Sequence, residues 1–260
     1  MSKISKKLLL GMGLFLFTNI SLYAITITSA SHAVDIAGKQ RMYSQKMLKD
    51  YAMIGMNNKY GNPSKDLKKI IILFTENLDA LLLYTKSPKT KESLKSLQDL
   101  WLPLEKTLKS VPLKEKIIKL QEDLDVLLKV ADESTILFTN DLGKSSAKIV
   151  NLSGRQRMLS QRMAALYMLQ VWGIKDMEFK NKLNKAMLLF KNSMKTLEKS
   201  KVNSNEIKTL LKKVKRSFMF FEMMSKSSSK YIPSLIYKKS NEMLKDMNIV
   251  TENYVTLETK

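Results

Sequence analysis

The feature that most constrains this chain is that it says the same thing twice. DIAGKQRMYSQKMLKDY (35–51) aligns on NLSGRQRMLSQRMAALY (151–167) with eight identities in seventeen positions, at a constant offset of 116 residues. The same offset carries Leu73-Phe74 onto Leu189-Phe190 and Leu81 onto Leu197, and an offset of 117 carries Trp101 onto Phe218. A register that persists this far means that one structural unit is duplicated, and any fold must accommodate two copies of it. The expected units are 25–143 and 144–260, with the boundary near Asp141 to Lys144.

Within each copy the apolar period is helical. Ile71, Phe74, Leu78, Leu81 and Leu82 recur at steps of three and four, as do Leu94, Leu97, Trp101, Leu104 and Leu108. Gly61-Asn62-Pro63-Ser64, Ser87-Pro88 and Val111-Pro112 punctuate these runs where helices stop or start. The pattern predicts helices over 28–58, 64–86, 90–109 and 113–142, then 144–172, 176–200, 204–226 and 233–258. With 8 Gly and 5 Pro in 260 residues there are few places to turn. The expected fold is all-α: two tandem antiparallel four-helix bundles, stacked end to end if the fourth helix runs on into the fifth. The methionine and aromatic stripes, including Trp101 and Met219 to Met224, are read as core.

Residues 1–24 place Lys3, Lys6 and Lys7 before an apolar run from Leu8 to Ile20, followed by small and polar residues ending at Ala24. This is the pattern of a signal peptide, which sends the chain to the periplasm. The alternative is retention as an inner-membrane anchor formed by residues 8–28. The formal net charge of +21 favours anionic partners, but export argues against nucleic acid. There is no cysteine, and His32 is the single histidine, so thiol chemistry, disulfides and imidazole-based catalysis or zinc binding have nothing to build on. No enzyme constellation, metal site or cofactor site is expected.

The repeated phrases are unusually charged for core-facing helices. At about 100° per residue from Gly154, Met158 lies at about 40°, Arg162 at about 80°, Arg155 at about 100° and Leu159 at about 140°, so Arg155 and Arg162 fall inside the apolar arc. Arg157 at about 300° and Gln161 at about 340° flank the glycine, whose missing side chain allows close approach. Neither phrase contains a carboxylate between its glycine and its last methionine. Either acidic residues on neighbouring helices pair with the arginines, or an anion does.

AGKQRMYSQKM and SGRQRMLSQRM resemble the signature on the first helix of the PilJ/NarX-type sensor domain, the extracytoplasmic four-helix module of type IV pilus chemotaxis transducers and nitrate/nitrite sensor kinases. In nitrate-sensing members the signature helix pairs with its mate across a dimer and the arginine after Gly-x-x contacts the anion. The resemblance therefore implies ligand-binding residues Gly38, Arg41, Met42, Gln45 and Lys46 in the first copy and Gly154, Arg157, Met158, Gln161 and Arg162 in the second. Lys46 cannot offer the planar fork of Arg162, and Lys39 and Tyr43 also depart from the usual Arg and Leu, so the second copy is expected to hold the better site. Family members usually continue through a membrane span into a signalling domain, and the expectation for this chain is a sensor without one of its own. The implied function is an exported sensor-like protein that binds a small oxyanion of the nitrate or nitrite kind and reports to a separate membrane histidine kinase or chemoreceptor, with homodimerisation open. The alternative is a scaffolding module that binds an envelope or pilus-associated protein and no small ligand.

Overall fold

The computed structural model describes residues 25–143, 145–226 and 233–257, so the expected signal peptide lies outside the described residues. Among the described residues eight α-helices follow one another: α1 (Ala30–Gly55), α2 (Pro63–Tyr84), α3 (Pro88–Leu108), α4 (Ile117–Leu142), α5 (Ser145–Val171), α6 (Met177–Glu198), α7 (Asn205–Lys226) and α8 (Pro233–Thr256). Their starts are written locally. Ser29 accepts from the His32 backbone N–H at the head of α1, Asn62 adopts φ 57° and caps α2 ahead of Pro63, and Ser87 caps α3 ahead of Pro88. Proline at the first helical position forfeits no intrahelical bond.

Each set of four helices packs as an antiparallel bundle. α1 packs on α2 and α4, α3 on α4; equivalently α5 packs on α6 and α8, and α7 on α8. The repeat offsets hold in the cores. Phe74 packs on Trp101 with ring centroids 4.2 Å apart, and Phe190 stacks on Phe218 at 4.7 Å.

The end-to-end arrangement is not what forms. α1 makes its most extensive interface with α5, and the two bundles lie side by side. Gly143 caps α4 in the left-handed conformation (φ 66°), so α4 ends and the chain reverses into α5 instead of continuing. Because α4 runs opposite to α1, this reversal makes α5 parallel to α1. The two helices are then in register along their length: Gly38 lies near Gly154, Gln45 meets Arg162, and Gly55 faces Trp172.

That pairing explains the weak polar face of the signature helices. α1 is flanked by α2, α4 and α5, and nearly all its residues from Ala33 to Met53 are buried. α2 and α3 bury one stripe only, as surface helices of a bundle do. Among the described residues, no helix is long and apolar enough to cross a membrane.

Candidate functional site

The invariant letters of the two phrases perform the same task in each bundle. Gln40 Nε2 donates to the Phe74 carbonyl at 2.9 Å, and Gln156 Nε2 to the Phe190 carbonyl at 3.0 Å, tying each signature helix to the helix that follows it. Ser44 and Ser160 hydroxyls donate to the carbonyls of Arg41 and Arg157, both at 2.8 Å. Gln45 and Gln161 amides donate to those hydroxyls at 3.3 and 3.2 Å. These bonds satisfy polar groups that burial would otherwise penalise.

Arg41 and Arg157 are fully buried and cross the α1/α5 seam in opposite directions. Arg41 Nη2 donates to the Asn151 carbonyl on α5 at 3.3 Å, and Arg157 Nη2 donates to the Asp35 carbonyl on α1 at 3.4 Å. Their Nη1 atoms reach the last helix of their own bundles: Arg41 donates to Asp132 Oδ1 at 2.5 Å, Arg157 to Asn248 Oδ1 at 3.3 Å. Asp35 and Asn151, like Asp132 and Asn248, are repeat equivalents, so a pseudo-twofold relates the two sets of contacts. The acids are shared out: Arg41 has Asp132, and Arg157 has Asp35, whose Oδ1 lies 2.6 Å from its Nη2. At each position the other copy carries the neutral amide.

Positive charge remains in excess. Lys39 also pairs with Asp35 at 2.9 Å and Arg155 with Asp132 at 3.3 Å, so four cations meet two carboxylates. The Nε atoms of both Arg41 and Arg157 are buried without an acceptor. Burial pushes Arg41 down to about 10, against the pull of Asp132, and the like charges of Arg155 and Arg157 add to the depression. Burial alone would raise the Asp35 and Asp132 carboxyls. Arg157 and Lys39 hold the first below its ordinary value, and Arg41 and Arg155 hold the second.

The structure thus brings Gly38, Arg41, Gly154 and Arg157 to one place on the seam, instead of making one site per copy. Met42 and Met158 are buried in the apolar core. Gln45 and Gln161 sit one turn further along, where Gln45 Oε1 accepts from Arg162 Nη1 at 3.0 Å and Gln161 Oε1 accepts from Lys49 Nζ at 2.6 Å. Lys46 and Arg162 do not join the arginine pair. Lys46 bonds Asp50 at 3.1 Å and Asp66 at 2.8 Å, and Arg162 grips Asp125 with two bonds of 2.5 and 3.2 Å. Arg155, placed in the apolar arc by helix geometry, has a side chain 38% exposed, whereas Arg157 is covered completely. A helix wrapped on three sides has no single apolar arc, and the glycine side of α5 is the one that faces α1.

Sequence reasoning missed Asp35 and Asn151, which stand three residues before the signature glycines, and Asp132 and Asn248, which lie on the last helix of each bundle. The exchange of acid for amide at repeat-equivalent positions was the available signal. It also missed Lys49, fully buried beneath the Tyr237 ring at 4.2 Å and donating at 2.6 Å to both Gln161 and Asn241. Burial holds its ammonium well below the ordinary lysine value, and the neighbouring Lys46 adds to this. Its repeat equivalent is Ala165, so this cluster, which joins the two copies, has no counterpart across the pseudo-twofold. Among the described residues, no group of three or more His, Cys, Asp or Glu side chains could hold a metal ion.

The family model described as the N-terminal domain of type IV pili methyl-accepting chemotaxis transducers, PilJ, matches residues 26–132 and 138–219. No curated protein and no solved structure matches the chain. The family comprises non-catalytic sensory domains, typically on the periplasmic side of membrane receptors. Two matches that together cover most of the chain, with the signature helix of each at the central seam, show that this protein belongs to the PilJ family of chemotaxis-transducer N-terminal domains and carries two tandem copies.

Proposed function

We propose that the protein is an exported sensory module that holds a small oxyanion, of the nitrate or nitrite class, between Arg41 and Arg157 and reports its presence to a membrane-bound signalling partner, a histidine kinase or chemoreceptor. The observation that carries this reading is the pair of fully buried guanidiniums that converge on two glycines and keep their Nε donors unused, in a seam where four cations share two carboxylates. A planar anion accepts from such a fork through parallel bonds and relieves the repulsion between like charges. The second copy supplies the mate that the first copy's signature helix would find across a dimer. Binding favours one relative placement of α1 and α5, and a differential affinity of this kind shifts the population of the states that a partner reads.

A second reading, a purely structural polar seam, is favoured by one observation: each arginine already has one carboxylate, Asp132 or Asp35. Calorimetric titration of the mature protein with nitrate and nitrite, against chloride at constant ionic strength, separates the two. The sensor reading expects saturable heat. It also expects Arg41→Ala and Arg157→Ala to weaken binding comparably, by about ten- to a hundredfold, since charge-assisted bonds are worth about 1.5–3 kcal/mol each. No saturable heat for any oxyanion, with both variants losing stability alone, supports the structural seam.

A further inference from the structure

A groove of about 620 Å³ opens between α4, α5 and α6, away from the arginine seam. Its apolar wall is made by Leu128, Met158, Leu159 and Leu189. Met158 and Leu159 are buried at its floor, and Leu189 is 45% exposed, an apolar surface left to water. Its polar side is mostly cationic: Arg162, Lys182 and Lys185, with Asn181 and the single carboxylate Glu178.

The three cations are not equivalent. Arg162 is locked by Asp125, and Lys182 Nζ is held by Asp125 Oδ2 at 3.2 Å and Gln121 Oε1 at 3.1 Å, with Glu178 at 3.7 Å. Arg162 and its bonds to Asp125 and Gln45 therefore form a fixed wall. Lys185 is exposed, pairs with no acid among the described residues, and stands one turn from Lys182 on the same face of α6. An apolar trough with one uncommitted ammonium at its rim, backed by a second, is complementary to a molecule with a single negative charge on an apolar body.

We infer that the α4/α5/α6 groove is a binding site for a small amphipathic carboxylate, its carboxylate on Lys185 and Lys182 and its hydrocarbon or aryl body against Leu128, Met158, Leu159 and Leu189. The site is distinct from the seam and does not depend on what the seam binds. Its volume falls in the range of small-molecule pockets, roughly 300–1,000 Å³. A ligand there bridges the second bundle's α5 and α6 to the first bundle's α4, so it bears on the packing of the two halves.

The experiment is a calorimetric or NMR titration of the mature protein with octanoate, alongside octylammonium and acetate at matched ionic strength. Octanoate binds saturably, octylammonium does not, and acetate binds at least tenfold more weakly for want of an apolar body. Lys185→Glu, at an exposed position that leaves the fold untouched, weakens octanoate at least tenfold. Leu189→Gln weakens it severalfold, and Arg157→Ala leaves it unchanged provided that variant's melt shows it folded. Absence of saturable octanoate binding overturns the inference, as does equal binding of octylammonium or indifference to both Lys185→Glu and Leu189→Gln.

Discussion

Gly38 and Gly154 face each other across the paired signature helices. A Cβ built on either lies 3.2 Å from Nη2 of its own helix's arginine and 3.3 to 3.4 Å from Nη2 of the other's. The two glycines are therefore what lets two guanidiniums enter one seam.

Replacing glycine by alanine inside a helix ordinarily stabilises it by about 0.5–1 kcal/mol. Here the gain is offset, because the added methyl presses on guanidiniums anchored by Asp132 and Asp35. Gly154→Ala and Gly38→Ala are expected to leave the melting temperature unchanged or lower it, while weakening oxyanion binding at least tenfold. A melt combined with nitrate titration checks both effects, and a clear rise in melting temperature would show that the guanidiniums give way easily.

Removing Asp132 leaves Arg41 buried beside Arg157 and Arg155 with its strongest partner gone. Fully buried pairs cost about 3–5 kcal/mol when one partner is deleted; with the Asp132 side chain one-third exposed, water screens part of this, and about 2–3 kcal/mol is expected for Asp132→Ala. Urea unfolding measures it. Adding Asn248→Asp should recover only part of the loss, since the new carboxylate pairs with Arg157 and not Arg41.

Acid should loosen the seam. The Asp35 and Asp132 carboxyls lie below the ordinary 3.8 in the folded protein, so each contributes stability that is complete above pH 3.8 and lost as pH falls through the folded value. Unfolding free energy measured across that range should fall more steeply for the wild type than for Asp132→Asn.

Lys49 adds a slope of the same sign at the alkaline end. Its folded value lies well below 10.5, so between the two values the unfolded chain binds more protons and stability rises with pH. Lys49→Met should flatten this part of the profile relative to wild type, and at neutral pH it should be near neutral or stabilising, as apolar replacements of buried charges often are. Unchanged pH dependence in the variant would show that Lys49 does not carry this slope.

Gly55 offers a steric test at the far end of the seam. A Cβ there would meet the Trp172 ring edge at about 2.2 Å, too close to persist, so the ring or the helix must move. Overpacking of this kind costs about 1–3 kcal/mol, and Gly55→Ala should shift the tryptophan emission as well as the melting temperature.

Much of this protein is written in local sequence. The helices begin where Ser29, Asn62-Pro63 and Ser87-Pro88 say they should, because caps and proline act over a single turn. The offsets of 116 and 117 anticipate Phe74 on Trp101 and Phe190 on Phe218, because equivalent sequences bury equivalent faces. Which faces of the two copies meet was decided only in three dimensions. A left-handed residue at Gly143 turns α5 parallel to α1, and an apolar period cannot reveal the direction of the next helix. The partners of the arginines depend on that choice. Arg41 finds Asp132 91 residues away on the last helix of its own bundle, whereas Arg157 finds the Asp35 backbone 122 residues away, on a helix that becomes its neighbour only once the two bundles lie side by side. A charge buried in a helix announces from sequence that it needs a partner, but the packing of whole helices selects which one it gets.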